Sequence, residues 1–172
     1  MVINRPSLPF IGGGWAYLVK ENSMLLDVFP CITPNDNQTN LVYRFFVPEG
    51  TKALTICFSY APQKVEELVA KRALQEALPK FFSPERVKEI GVAPFMPLLN
   101  LLTISCSSEK EGYIGCHHTK DASQCIKIGE HSSAGFSSVS SVSGPFEVMI
   151  HVHAAISPKI AAHLCVKTEK GA

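Results

Sequence analysis

Residues 41–60 read LVYRFFVPEGTKALTICFSY, which is two runs of aromatic and β-branched residues on either side of a Pro-Glu-Gly sequence. The second run alternates two sets of side chains, Leu54, Ile56, Phe58 and Tyr60 against Thr55, Cys57 and Ser59. A period of two is typical of a half-buried strand. Proline and glycine between the runs favour a reversal of the chain. The segment therefore predicts an antiparallel β-hairpin with one apolar face.

A second segment of the same kind closes the chain. Residues 144–166 read GPFEVMIHVHAAISPKIAAHLCV, with Ser157-Pro158 as the turn between two apolar runs. Further strand-like runs are found at residues 15–19, 24–29, 100–106, 113–118 and 124–130, with a polar turn at 108–112. Many short strands separated by turn residues are typical of sandwiches. The sequence therefore predicts a mainly β fold, a two-sheet antiparallel β-sandwich of jelly-roll type.

The apolar residues of these runs are expected to form the core. The inward-facing set is expected to include Phe45, Val47, Leu54, Ile56, Phe58, Leu101, Ile104, Ile126, Val148, Ile150 and Val152.

One segment has a different pattern from the rest. Residues 64–78, KVEELVAKRALQEAL, consist of strong helix formers with apolar residues on a helical repeat. Pro79 ends this run, Ser83-Pro84 is typical of a new helix N-terminus, and Gly91 is typical of a helix end. Since the segment is too short to carry its own core, we expect a helical insertion at about 64–91 within a single domain spanning residues 1–172.

The composition excludes several classes of partner. The chain has 172 residues, of which 46% are hydrophobic and 18% charged, and its net charge is +1. No basic stripe is present, which argues against a nucleic-acid partner. No apolar run approaches the roughly 18 residues that a membrane span needs, and the N-terminal residues lack the pattern of a signal peptide. These observations predict a protein of the cytoplasm with no membrane partner.

The six cysteines show no CxxC spacing and no paired zinc-ligand motif. A chain of this length does not need disulfides to be stable. With a cytoplasmic location, reduced thiols are the expected state.

Two groups of residues suggest chemistry. His151 and His153 lie two positions apart on a predicted strand, so they share a face and suggest a site for a divalent transition metal. If the last hairpin forms, His163 and Cys165 would come alongside them. A second group is Cys116-His117-His118, in which only Cys116 and His118 can converge, because neighbouring residues on a strand point to opposite faces.

Several elements of the sequence are similar to a known kind of module. They are the aromatic strand Tyr43–Val47, the turn Val47–Gly50, the strand 54–62, the strand 100–105, Gly112, Gly115 before Cys116-His117, and the late entry Gly144-Pro145-Phe146. Together they resemble the β-sandwich accessory modules that lie beside PHP-type metal-dependent phosphoesterase domains in bacterial proteins. The resemblance covers roughly residues 41–168 and implies a β-sandwich fold. In such proteins the catalytic metal ligands belong to the neighbouring domain, so the resemblance also implies an accessory role beside a hydrolase.

The functional expectation is accordingly a non-catalytic binding or interaction module without a cofactor. Its partner would be another protein or a small polar ligand such as a glycan, with Trp15, Tyr43, Tyr60 and Tyr113 as candidate contact aromatics. The first alternative is a small metal-binding protein or metallohydrolase that uses His151 and His153. The second is a subunit of a larger assembly, since an apolar composition suits a buried interface.

Overall fold

The computed structural model describes residues 23–169, and in this range two antiparallel β-sheets pack together. The predicted mainly β sandwich is therefore confirmed. The predicted strand at residues 15–19, which includes Trp15, lies outside the described residues. No helix in residues 23–169 is long and apolar enough to cross a membrane.

Each sheet is built from strands that are distant in the sequence. The first sheet contains, as neighbours, β1 (Met24–Val28), β9 (Ile160–Glu169), β4 (Ala53–Ala61) and β7 (Ser123–Gly129), and the short β2 (Cys31–Ile32) also pairs with β9. The second sheet contains β3 (Thr39–Val47), β8 (Gly144–Ala154), β5 (Leu101–Ser108) and β6 (Gly112–His117). The late strands β8 and β9 each insert between earlier strands, which is the double Greek-key arrangement of a jelly roll. The predicted topology is present.

Neither of the two predicted hairpins forms. The strands at 41–60 are real, but β3 pairs with β8 in the second sheet while β4 pairs with β7 and β9 in the first. The strands at 144–166 are separated in the same way, so the turn at Ser157-Pro158 leads from one sheet to the other. Strands that face each other across a core have the same alternation as strands that pair, and alternation alone does not distinguish them. The predicted return at 108–112 does form a hairpin, between β5 and β6.

The core lies between the sheets and is close to the predicted one. Nine of the eleven predicted residues are fully buried: Val47, Leu54, Ile56, Phe58, Ile104, Ile126, Val148, Ile150 and Val152. Phe45 and Leu101 are only partly buried. Leu102 takes the core position instead of Leu101, because it lies two positions before Ile104 and therefore shares the inward face of β5 with it.

The predicted helical insertion is present between β4 and β5. It contains α1 (Glu67–Ala77) and α2 (Pro84–Ile90). As predicted, Ser83 caps α2, accepting a hydrogen bond from the backbone N–H of Arg86 at 3.3 Å, and Gly91 ends it with a φ of 62°. The two ends of the insertion are joined where Val65 N–H donates to Leu98 at 3.0 Å.

A buried asparagine holds the base of this insertion. The side chain of Asn100 donates to the Pro62 carbonyl at 2.9 Å and to the Ser157 hydroxyl at 2.8 Å. Its oxygen accepts from the N–H groups of Ile156 and Ser157 at 2.9 and 3.0 Å. Every polar group of this amide is therefore satisfied, as a buried amide requires.

The expectation of six reduced cysteines is wrong for one pair. Cys57 and Cys125 are opposite each other on β4 and β7 and form a disulfide, with their Cα atoms 4.2 Å apart. Cysteine spacing does not indicate this pair, because its members are 68 positions apart and the register between strands cannot be read from spacing. Cys31, Cys106, Cys116 and Cys165 are free.

Candidate functional site

The outer side of the second sheet carries polar side chains from all four of its strands. Strand pairing places Asn40 opposite His151, His151 opposite Thr103, and Ser105 opposite Cys116. We call this surface the histidine face and define it by Asn40, Thr103, Ser105, Cys116, His118, His151 and His153. The prediction that His151 and His153 share an outward face is correct for the strand on which they lie, since Ile150 and Val152 point into the core.

His151 is held at both ring nitrogens. Nδ1 lies 2.9 Å from the side-chain oxygen of Asn40, and Nε2 lies 2.8 Å from the hydroxyl of Ser105. An amide oxygen only accepts, so Nδ1 carries the proton, and in the neutral ring Nε2 accepts from the Ser105 hydroxyl. This is the arrangement of a neutral imidazole. Asn40 and Ser105 were not identified from the sequence, because they come from strands 111 and 46 positions away.

The electrostatic surroundings favour the same neutral form. Partial burial is the main cause that lowers the pKa of His151 from its ordinary value of 6.5. The neighbouring imidazoles of His153 and His118 lower that pKa further, because each would repel a second positive charge. His151 is therefore a structural hydrogen-bonding group at neutral pH.

His153 lies beside it, with the two ring centroids 5.9 Å apart. Its Nε2 is 2.8 Å from the hydroxyl of Thr103. Gln38, Thr39 and Asn40 border the two rings around a shallow depression of about 310 Å³. The depression is open and polar, and its imidazole groups already have partners in the protein.

The ligand set for a metal at this position is incomplete in the described part of the chain. Within residues 23–169, no three side chains of His, Cys, Asp or Glu converge in a geometry that would hold a metal ion. His163 and Cys165 lie on β9, in the other sheet, so the hairpin that would bring them alongside His151 does not form. His163 instead contacts Asp27 at 2.6 Å and stacks on Phe29. Metal binding by His151 and His153 remains a prediction from the sequence.

Cys116 and His118 do converge, as alternation predicts. The sulfur of Cys116 lies 2.6 Å from Nε2 of His118, while His117 points elsewhere and contacts the hydroxyl of Thr119 at 3.0 Å. A thiol beside an imidazole is the contact that a nucleophilic cysteine uses. The backbone N–H of Cys116, however, donates to the Gly135 carbonyl at 3.1 Å. This N–H is therefore not free to stabilise an oxyanion.

The three candidate contact aromatics within residues 23–169 do not form a platform. Tyr60 is buried and donates its hydroxyl to the Asn100 carbonyl at 3.2 Å. Tyr43 is half-buried on β3, and only Tyr113, at 67% exposure, presents its ring to solvent on the outer side of the second sheet. Trp15 lies outside the described residues.

The helical insertion exposes more apolar side chains than the histidine face. Its exposed large hydrophobic residues are Leu68, Phe81, Phe82 and Phe95, with Leu68 at 65% and Phe81 at 78% exposure. We call these four residues the insertion surface. The sequence predicts a helical insertion here without identifying these four residues as a surface. The adjacent phenylalanines 81 and 82, placed between two helices, were the available signal.

A groove opens beside two members of this surface. It has a volume of about 480 Å³ and runs between α1 and residues 92–97, with an apolar lining of Val65, Val92, Ala93, Met96 and Pro97 and with Lys64, Glu67 and Lys71 at its rim. Leu68 directly follows the rim residue Glu67, and Phe95 lies between lining residues. A concave apolar site and exposed apolar side chains are therefore adjacent.

Comparisons of the chain with protein-family models, with curated proteins and with solved structures found no match.

Proposed function

We propose that this chain is a non-catalytic interaction module that binds a second copy of itself through the insertion surface and the neighbouring groove. The observation that carries this proposal is the concentration of exposed apolar side chains on one insertion, while α1 buries only Ala70 and Leu74 and α2 buries none of its residues. Exposed apolar patches of this kind mark interaction sites on soluble proteins.

The shape of the surface supports self-association. Projecting side chains and an apolar groove lie on the same surface, so two copies related by a two-fold axis would each insert Leu68 or Phe95 into the partner's groove. Such an isologous contact is the commonest arrangement in homo-oligomers. Valine, methionine and proline in the groove provide an apolar receptor, and methionine adapts readily to the shape of a bound group.

The charges of the insertion are compatible with this contact. Residues 62–100 contain six basic and five acidic side chains. Two of the ion pairs lie within the helices, Lys71 with Glu67 and Arg86 with Glu89, both at 2.6 Å. Two copies would therefore meet without strong repulsion between like charges. The net charge of +1 for the whole chain also favours association over mutual repulsion.

Sedimentation velocity over a micromolar concentration series tests the proposal. The wild-type chain is expected to form a dimer in a concentration-dependent way. Leu68→Glu places a charge on an exposed helix position, and Val92→Asp places one inside the groove, where it can still begin the following turn as an N-cap residue. Each variant is expected to weaken the dimer at least about tenfold.

The matched control is Val42→Asp, which makes the same change on exposed β3 of the second sheet. This variant is expected to dimerise as the wild type does. A monomer at every concentration would contradict the proposal. A dimer that is lost in Val42→Asp but kept in Val92→Asp would mean that the interface lies on the second sheet and not on the insertion surface.

The accessory role beside a PHP-type hydrolase, which the sequence resemblance implies, is a further use that we propose for the same surface. A domain of that class would then compete with self-association, and Val92→Asp would weaken both contacts.

A further inference from the structure

Three cysteines lie side by side in one row across the first sheet. Cys57 on β4 is opposite Cys125 on β7 on one side and opposite Cys165 on β9 on the other. Cys57 and Cys125 form the disulfide, and Cys165 is a free thiol. The middle cysteine therefore has a potential disulfide partner on each side.

The backbone pattern shows that the second partner is also within bonding reach. Alternate residues of an antiparallel strand direct their N–H and C=O groups to opposite neighbours. Tyr60 on β4 donates its N–H to Ala122, beside β7, so Cys57, three positions earlier, directs its backbone groups toward β9. Cys57 and Cys165 are thus a hydrogen-bonded pair, whose Cα atoms are about 5.5 Å apart. A disulfide spans this Cα separation, and its formation requires the two strands to shift until the Cβ atoms are about 4 Å apart.

We propose that this row is a thiol–disulfide exchange site, in which Cys57 changes its partner from Cys125 to Cys165. The Cys165 thiolate attacks the sulfur of Cys57, the Cys57–Cys165 bond forms, and the Cys57–Cys125 bond breaks. Cys125 leaves as a thiolate and takes up the proton that Cys165 lost. One disulfide and one thiol are present before and after the step, so it needs no external oxidant or reductant.

The order of the strands suits this reaction. In thiol–disulfide exchange the attacking sulfur approaches the disulfide from the side opposite the leaving sulfur, so the three sulfurs lie close to a line. The strands β9, β4 and β7 are neighbours in this order, and they carry the attacking Cys165, the central Cys57 and the leaving Cys125.

The exchange changes which thiol the solvent can reach. Cys165 is 7% exposed, whereas Cys125 is exposed on the edge strand β7. With the Cys57–Cys125 bond the spare thiol is hidden, and with the Cys57–Cys165 bond it is at the surface, accessible to a small thiol-reactive molecule or another protein. Cys106 does not compete, because it lies in the other sheet and burial raises the pKa of its thiol to about 12.

The first test uses the wild-type protein with its disulfide formed. The protein is held at mildly alkaline pH without added thiol, quenched in acid, alkylated and mapped by peptide mass spectrometry. The expected result is two species, one with Cys165 alkylated and a Cys57–Cys125 bond, the other with Cys125 alkylated and a Cys57–Cys165 bond. Alkylation of Cys165 alone, at every time of incubation, would overturn the proposal.

The second test separates the two bonds. In a glutathione redox buffer, Cys125→Ser is expected to form the Cys57–Cys165 bond, and the matched variant Cys165→Ser is expected to form the Cys57–Cys125 bond. Circular dichroism verifies that both variants are folded. If a folded Cys125→Ser protein keeps both remaining thiols free in a buffer that fully oxidises Cys165→Ser, the exchange does not occur.

Discussion

Asn100 binds Ser157 through both ends of its side-chain amide. The nitrogen donates to the Ser157 hydroxyl at 2.8 Å, and the oxygen accepts from the Ser157 backbone N–H at 3.0 Å. This contact joins the base of the helical insertion to the segment that leads from β8 into β9. The base of the insertion is therefore held in place by a buried polar network.

Substitution of Asn100 is expected to be strongly destabilising. Asn100→Ala leaves the N–H groups of Ile156 and Ser157 and the carbonyl of Pro62 without their partner in a buried site. Buried polar groups without a partner are costly, and we expect the free energy of unfolding to fall by about 3 kcal/mol. Urea denaturation followed by circular dichroism measures this loss.

The control for this prediction is Asn35→Ala, at an exposed position in the turn before β3. Its free energy of unfolding is expected to stay within about 0.5 kcal/mol of the wild-type value. Equal losses in the two variants would show that the network around Asn100 adds nothing.

The neutral His151 predicts how stability depends on pH. Since the pKa of His151 is lowered in the folded protein, the unfolded chain binds a proton there at a higher pH than the folded chain does. The contribution of His151 to stability is complete above pH 6.5, the ordinary value, and it is lost as the pH falls from there through the lowered pKa of the folded state. Chemical denaturation at a series of pH values measures this slope.

The variant His151→Gln is expected to reduce the slope below pH 6.5, because glutamine keeps polar contacts but does not titrate. The matched variant His131→Gln changes an exposed histidine in the loop after β7 and is expected to leave the slope as it is. An unchanged slope in His151→Gln would contradict the assignment of a neutral, hydrogen-bonded ring.

Gly115 is required where the loop that follows β7 crosses β6. The Cys116 N–H donates to the Gly135 carbonyl at 3.1 Å, and the Ser137 N–H donates to the Ile114 carbonyl at 2.8 Å. A Cβ at residue 115, whose φ is 154°, would overlap the Gly135 carbonyl oxygen and lie 2.7 Å from Cα of Phe136. Gly115→Ala is therefore expected to cost more than about 3 kcal/mol of stability.

Gly50→Ala is the comparison that separates steric overlap from backbone strain. Gly50 also has a positive φ, 78°, but nothing lies within 4 Å of its added Cβ. Its cost is expected to be about 1 kcal/mol, the penalty for the backbone conformation alone. Similar unfolding midpoints for the two variants would show that the loop moves aside without cost.

The strands and the insertion were predictable because local patterns encode them. Alternation marks a strand with one buried face, as in residues 54–60, and Ser83 and Gly91 mark the limits of a helix. Strand pairing was not predictable, since β3 and β4 alternate in the same way whether they pair or face each other across the core. Contacts between residues of different strands in the candidate sites were unpredictable for the same reason. His151 with His153, and Cys116 with His118, are close in the sequence and were identified, whereas Asn40 and Ser105 are brought to His151 by the sheet.

The leucine pair at the start of β5 allows a test of which of two neighbouring side chains belongs to the core. Leu101 is expected in the core together with Ile104, but Leu102 lies two positions before Ile104 and shares its face, so Leu102 is fully buried and Leu101 only partly so. Leu102→Ala removes a core side chain and leaves a cavity, so we expect a loss of about 3 kcal/mol. Leu101→Ala is expected to lose about 1 kcal/mol, because part of its side chain already contacts solvent. Denaturation of the two variants side by side measures the difference, and a larger loss in Leu101→Ala would mean that Leu101, and not Leu102, faces the core.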